Sequence, residues 1–169
     1  MEPNIRNIAV LTSGGDAPGM NACIRAVIRT GIYHGRNMFG VMQGYQGLID
    51  NNINQMDARS VSNILHMGGT VLKTARCLAF KEEAGMEIAF KNLQDRHIDG
   101  LIVIGGDGTF TGAKRFGEKF GINVIGVPGT IDNDLYGSDF TLGYDTAVNT
   151  IIEAIDKIRD TADSHDRLF

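Results

Sequence analysis

The 169-residue sequence has no tryptophan, only three prolines and two cysteines, and no excess of positive charge. Cys23 and Cys77 are too few for a disulfide framework or for a zinc site built from cysteines. Because the net charge is −4, the chain has no broad basic surface, and we expect no nucleic acid among its partners. No apolar run reaches the roughly 18–20 residues that span a bilayer, and no signal-peptide pattern opens the sequence. We therefore expect a cytoplasmic protein without a membrane partner.

Glycine, in contrast, is abundant, with 22 residues that are partly clustered between apolar runs. Glycine weakens helices and strands, but it permits positive φ and close approach of the backbone to a ligand. The glycine clusters are therefore the first place to search for a binding site.

Apolar runs alternate with segments of helical periodicity along the chain. Successive apolar positions in the central runs are typical of a parallel sheet that is covered on both faces. The sequence thus predicts an α/β fold with a parallel-rich, Rossmann-like sheet and helices on each side. Strands are predicted at 5–11, 38–42, 98–104 and 122–127, and helices at 18–32, 57–67, 83–95, 110–120 and 144–159.

Two further features concern organisation. The glycine-rich stretch 44–47 follows the second predicted strand, and Asp57 is interpreted as the cap of the short helix predicted at 57–67. The polar segment 163–169 turns apolar again at its end, as a chain does before another strand. We interpret residues 1–169 as one incomplete N-terminal domain.

Two turns rich in glycine and aspartate follow predicted strands, at 12–21 and at 105–109. Ligands of open parallel sheets bind outside the carboxyl ends of the strands, where turn N–H groups and a helix N-terminus attract anions. Asp107 lies among such amides, which fits Mg²⁺ held by one or two carboxylates and substrate phosphates. One such turn is ordinary turn chemistry, but two at strand ends favour a phosphate site.

Neither turn is a familiar nucleotide loop. No Gly-Lys-Ser/Thr follows either one, so neither is a Walker A loop, and neither fits the Gly-x-Gly-x-x-Gly dinucleotide pattern. The sequence therefore favours a phosphate donor that is held by another architecture.

A third loop, at 128–134, follows the last predicted strand and adds carboxylates at the same edge. A kinase needs a base within reach of the attacking hydroxyl. Asp132 can accept that proton, while Thr130 and Asp134 orient the substrate. In isolation, the same loop would be interpreted as a solvated acidic turn.

Several motifs follow one another over nearly the whole chain. They are 12–21, Gly68-Gly69-Thr70 with Ala75-Arg76, 105–109, 128–134, Arg159-Asp160-Thr161 and Ser164-His165-Asp166-Arg167. Taken in this order, they resemble the motif set of ATP-dependent 6-phosphofructokinases of the bacterial type. The family implies transfer of phosphate from Mg·ATP to the 1-hydroxyl of fructose 6-phosphate, which yields fructose 1,6-bisphosphate and ADP in glycolysis.

The resemblance also implies roles for residues. Asp107 would bind Mg²⁺ and Arg76 would neutralise charge on the transferred phosphoryl group. The sugar phosphate would lie along Thr130, Ile131 and Asp132, with Asp132 as base. Arg167 would reach the 6-phosphate of substrate in a neighbouring subunit, within an expected homotetramer. ATP and its metal would contact Gly15, Arg76, Cys77, Gly106, Asp107, Gly108 and Thr109.

Two glycines bear on the phosphoryl donor. In the pyrophosphate-dependent branch of the family that this sequence resembles, we expect aspartate at position 108 and lysine at position 129. A carboxylate at 108 would repel the α-phosphate of a nucleotide. Gly108 and Gly129 therefore favour ATP.

An effector site is the last implication. Arg25 and Arg29 lie four apart, where like charges in a helix repel by roughly 0.2–0.5 kcal/mol unless an anion binds. A solvated helix face is the alternative. In the family, both positions and Arg159 match an allosteric nucleotide site. Ala58 replaces a usual arginine there, and Arg59 could substitute for it.

Two other functions remain open from the sequence. Kinases acting on NAD or lipids share the Gly-Gly-Asp-Gly-Thr turn, although the loop 128–134 and Arg167 speak against them. A regulatory module that senses nucleotides or phosphorylated metabolites without catalysis would keep the same crevice. We also expect the chain alone to have weak kinase activity or none.

Overall fold

Strands and helices alternate along the chain, as a computed structural model shows for residues 5–164. Most predicted elements are confirmed with small shifts of their ends. The elements are β1 (Asn7–Thr12), α1 (Met20–Tyr33), β2 (Asn37–Val41), α2 (Gly44–Ile49), β3 (Ile53–Met56), a 3₁₀ turn (Ala79–Lys81), α3 (Glu83–Asp95), β4 (Gly100–Gly105), α4 (Asp107–Phe120), β5 (Asn123–Pro128) and α5 (Tyr144–Asp163).

The strands form one sheet in the order β3-β2-β1-β4-β5. Strands β2, β1, β4 and β5 are parallel, with Leu11 opposite Val103 and Ile102 opposite Ile125. The predicted parallel-rich sheet is therefore confirmed. Strand β3 was not predicted, and it runs antiparallel to β2 at the edge. Its two central residues are polar and exposed, so it lacks the apolar run that marks the inner strands.

Helices cover both faces of the sheet, as predicted. Helix α1 packs Met20, Ile24 and Ile28 against one face, in a cluster that includes Val10 and Ile104. Helices α2, α3 and α4 cover the opposite face, where Phe116 is completely buried. Among the described residues, no helix combines the length and apolar character needed to cross a membrane.

One local prediction, the helix at 57–67 with Asp57 as its cap, was wrong. Residues 57–67 form successive turns and not a helix, and Asn63 adopts a left-handed φ of 57° that interrupts any helical run. Val61 and Ile64 are three residues apart, which imitates helical periodicity. Both are apolar because they pack into the cluster under α1. The stretch 44–47 begins helix α2, since Gly44 and Gly47 are buried against backbone where a side chain would collide.

Two apolar surfaces are uncovered within the described residues. Helix α5 buries none of its residues, and Ile151, Ile152 and Ile155 are each more than half exposed. Strand β5 lies at the edge of the sheet, and Ile125 on it is 63% exposed. Both surfaces would suit further packing.

Candidate active site

Three turns meet at one edge of the sheet. They follow β1, β4 and β5, which are adjacent and parallel, so their carboxyl ends coincide. The Ser13 N–H donates to the Ile104 carbonyl at 3.0 Å, and the Gly129 N–H donates to the Gly105 carbonyl at 3.0 Å. These backbone hydrogen bonds hold each turn against the neighbouring strand end.

The sheet order also opens a crevice between the first two turns. Helix α1 leaves β1 on one face, whereas α4 leaves β4 on the other face. Ligands of open α/β sheets bind where neighbouring connections diverge in this way. The crevice between 13–16 and 106–109 is therefore the candidate ligand site.

The turns after β1 and β4 approach each other closely at Gly105. A Cβ atom at this position would lie 2.4 Å from the Ser13 carbonyl oxygen and 2.5 Å from Thr109 Oγ1. The Thr109 hydroxyl donates to that same Ser13 oxygen at 3.1 Å. Only glycine permits this contact, which joins the two turns.

The crevice opens into a cleft with a volume of about 1120 Å³. Every described residue that the sequence predicted for ATP, metal or sugar phosphate lines this cleft. Those residues are Gly15, Arg76, Cys77, Gly106, Asp107, Gly108, Thr109, Thr130, Ile131 and Asp132. Their individual roles stay predictions, and Arg167 lies outside the described residues.

The loop before Arg76 reaches the cleft through contacts with the end of β1. Thr12 Oγ1 lies 3.0 Å from Thr70 Oγ1, and it donates to the Lys73 carbonyl at 3.1 Å. Asn21 accepts from the Val71 N–H at 2.8 Å. This network carries Arg76 and Cys77 to the edge of the sheet, although they lie far from β1 in sequence.

Helix α4 begins at Asp107, directly at the cleft. Its first-turn N–H groups have no partner within the helix, so they suit an anion. The Asp107 side chain is exposed, and no other described residue donates a hydrogen bond to its carboxylate. This free carboxylate beside an anion site fits the ligand set of Mg²⁺.

The cleft wall includes residues that the sequence did not reveal. The Tyr45 ring stacks on Phe80 with centroids 4.1 Å apart, and its hydroxyl donates to the Thr109 carbonyl at 2.6 Å. Burial raises the pKa of Tyr45, so the hydroxyl stays a donor. Arg115 and Lys81 add positive charge, and Arg115 donates to the Lys81 carbonyl at 2.9 Å.

These residues come from α2, the 3₁₀ turn and α4, so no single local pattern brings them together. The hydroxyl of Tyr45 supports the backbone of the turn after β4 from beneath. The sequence offered one weak signal, which is the aromatic residue inside the glycine-rich stretch 44–47.

Comparisons with known proteins agree with this geometry. A family model described as Phosphofructokinase matches residues 7–169. The chain belongs to the phosphofructokinase family. A curated relative from Cytophaga hutchinsonii, named ATP-dependent 6-phosphofructokinase, is 59% identical over 165 residues. The relative of the same name from Halothermothrix orenii is 57% identical over 165 residues.

A solved phosphofructokinase from Saccharomyces cerevisiae matches the fold with a TM-score of 0.90 and 39% identity, over 95% of this chain and 25% of that one. The two curated relatives are matched over 98% of this chain and 50% of their own length. The chain therefore spans about half the length of the curated relatives it matches.

The predicted effector residues of this phosphofructokinase-family chain lie in two places. Arg25 donates to the Val61 carbonyl at 2.6 Å, which brings it to the turn that contains Arg59. Arg29 is exposed one helical turn further along α1. Arg159 lies on α5, where it pairs with Asp156 at 3.5 Å and Asp160 at 3.9 Å. One N–H group of the Arg25 guanidinium is therefore already used in a structural hydrogen bond. The effector role of these arginines stays a prediction.

Proposed function

We propose that the protein carrying this chain transfers the γ-phosphoryl group of Mg·ATP to the 1-hydroxyl of fructose 6-phosphate. The observation that carries the proposal is one cleft at which the turns after β1, β4 and β5 meet the loop of Arg76, so that Asp107, Arg76 and Asp132 line it together. The names of the curated relatives support the same reaction.

ATP would bind along the turns after β1 and β4. Backbone N–H groups at the start of α4 would receive its phosphates, and Gly15, Gly106 and Gly108 would let the phosphates approach the backbone. Arg76, which is exposed at the cleft, would stabilise the charge on the transferring phosphoryl group. The stacked pair of Tyr45 and Phe80 would supply the apolar wall.

Asp107 is the residue that would hold Mg²⁺, because its carboxylate lies at the cleft without a partner among the described residues. When bound, Mg²⁺ neutralises phosphate charge and orients the donor for in-line transfer. Arg76, which reaches the cleft on the loop between β3 and the 3₁₀ turn, would neutralise further charge on the phosphates.

Fructose 6-phosphate would lie along the turn after β5. The Asp132 carboxylate is exposed at the cleft, where it can accept the proton of the 1-hydroxyl as that oxygen attacks. The Asp132 N–H donates to Thr130 Oγ1 at 3.2 Å, so Thr130 steadies the turn as well as facing the substrate.

The glycines support ATP over pyrophosphate as donor. A Cβ at Gly108 would meet no atom within 4 Å, so a side chain there would occupy open space at the phosphate site. A Cβ at Gly129 would lie 3.0 Å from Ile104 Cγ2 and 3.4 Å from Met20 Cε, which leaves little room for lysine.

A second domain would complete the pocket. The curated relatives are about twice as long, and the uncovered surfaces of β5 and α5 suit further packing. We propose that residues 1–169 form the N-terminal ATP-binding domain of a cytoplasmic homotetramer. Arg167 would then reach substrate bound in a neighbouring subunit, and a nucleotide effector would use Arg25, Arg29, Arg59 and Arg159.

A coupled assay of the full-length protein with Mg·ATP and fructose 6-phosphate tests this function, with pyrophosphate as the alternative donor. Asp132→Asn should lower kcat by about 10²–10⁴-fold while Mg·ATP binding survives. Asp139→Asn, in the same loop, is the matched control and should change kcat less than threefold. A folded protein that turns over neither donor would contradict the proposal and favour a sensing module.

A further inference from the structure

The loop after Asp132 folds back on the end of β5. The Leu142 N–H donates to the Pro128 carbonyl at 2.9 Å, and Leu142 forms an isolated parallel bridge with Gly129. Residues 141 and 142 thus lie beside 128–130, although the chain has made a turn of about a dozen residues between them. This return segment closes the loop that carries Asp132.

Thr141 is the centre of this closure. It is only 6% exposed, and it is one of few buried polar residues in the described chain. Its hydroxyl donates to the Thr130 carbonyl at 2.7 Å, and its N–H donates to Asn133 Oδ1 at 2.9 Å. The two partners flank Ile131 and Asp132 on either side. Thr141 therefore holds both ends of the segment that presents Asp132, the Thr130 end through its side chain and the Asn133 end through its backbone N–H.

Asn133 completes the closure from the loop side. Its φ is 49°, a left-handed conformation that asparagine tolerates better than most residues. Its Nδ2 donates to the Asp139 carbonyl at 3.3 Å, so its side chain spans the loop. The amide of Asn133 is thus bonded at both its oxygen and its nitrogen.

We propose that Thr141 is a positioning residue for the phosphoryl-transfer reaction, acting through Thr130 and Asn133 on the direction of the Asp132 carboxylate. This inference rests on the proposed function. Thr141 is buried and is not among the residues that line the cleft, so its role would be indirect. Within residues 5–164, the Asp132 carboxylate itself has no hydrogen-bond donor, and its direction depends on the backbone that Thr141 holds. Small misplacements of a reacting group are costly to rate.

The first test compares Thr141→Val with Thr141→Ser in the full-length protein. Valine keeps the shape but loses the hydroxyl, so kcat should fall roughly tenfold while KM for ATP changes less than about twofold. Serine keeps the hydroxyl and should restore kcat to within about threefold of the unchanged protein. Equal losses in both variants, or a rise in KM for ATP that matches the fall in kcat, would overturn the proposal.

A second variant addresses the case in which Thr141→Val folds poorly. Asn133→Gly accepts the positive φ but removes the side-chain bonds, and it should also lower kcat with little change in KM for ATP. Because both variants break one network, the loss in the double variant should be smaller than the product of the single losses. Independent, multiplicative losses would contradict a shared role.

Amide hydrogen exchange separates this inference from the proposed reaction. Thr141→Val should speed exchange at Asp132 and Leu142, whose N–H groups donate within the closure, and leave exchange at 106–109 unchanged, whether or not the protein phosphorylates sugars. If exchange becomes faster but the unchanged protein has no kinase activity, the proposed reaction is refuted, and with it the positioning role of Thr141 in that reaction. Unchanged exchange in an active kinase would refute only the positioning role of Thr141.

Discussion

Thr109 donates its hydroxyl hydrogen to the Ser13 carbonyl oxygen at 3.1 Å, and both residues are almost fully buried. The contact spans 96 positions of sequence and joins the turns that follow β1 and β4. The Tyr45 hydroxyl donates to the Thr109 carbonyl from the other side. Thr109 is therefore the point at which the turns after β1 and β4 and helix α2 are held together.

Replacing Thr109 with valine should weaken this junction. The isosteric change leaves the buried Ser13 carbonyl without its donor, which typically costs about 1–3 kcal/mol in the free energy of unfolding. On the proposed function, KM for ATP should rise as well, because ATP would lie along both turns. Urea unfolding and steady-state kinetics measure the two effects. Thr111→Val, at an exposed position of the same helix, is the matched control and should shift the unfolding free energy by no more than about 0.5 kcal/mol.

Replacing Gly108 with aspartate should separate stability from binding. Position 108 lies in the first turn of α4, where a carboxylate favours the helix by about 0.3–1 kcal/mol, and its Cβ would meet no neighbour. The protein should therefore keep or gain thermal stability while its affinity for Mg·ATP falls at least tenfold. Calorimetric titration with ATP measures that loss. Gly68→Asp, which adds the same charge at an open position outside the cleft, should leave ATP affinity unchanged.

The elements whose form depends mainly on neighbouring residues were predicted correctly from the sequence. Helix α3 begins at Glu83 and ends at Asp95 as predicted, and the three turns follow apolar strands whose parallel order fixes where they meet. Tyr45 and Arg115 escaped prediction because they reach the cleft through the packing of separate helices. The turn at 57–67 was misassigned for the same reason, since Val61 owes its apolar character to packing under α1.

Asp57 offers a prediction on pH. The Ser60 N–H and hydroxyl, each 2.8 Å from Asp57 Oδ1, lower the pKa of this exposed carboxyl below its ordinary value. A lowered pKa stabilises the turn fully above the ordinary value, near pH 4, and this contribution is lost as pH falls through the lowered pKa. Titration of the Asp57 carboxyl by NMR should show the shift. Ser60→Ala should return the pKa toward normal, whereas Ser62→Ala, which does not contact Asp57, should not.

The uncovered apolar surfaces lead to a prediction about association of chain 1–169 produced alone. Ile125 lies on the edge strand β5, whose unpaired backbone groups can pair with another chain, and Ile155 adds to an exposed apolar face on α5. We expect the average mass in analytical ultracentrifugation to rise with concentration above that of a monomer.

Ile155→Lys should lower this association, because a charge on the α5 face opposes apolar contact. Asn149→Lys adds the same charge to the same helix at an exposed polar position, and it should leave the mass profile unchanged. Ile125→Lys tests the strand edge separately. If the unchanged chain stays monomeric at every concentration, the exposed surfaces do not drive association. If only Ile125→Lys lowers the mass, association runs through the edge of the sheet and α5 takes no part in it.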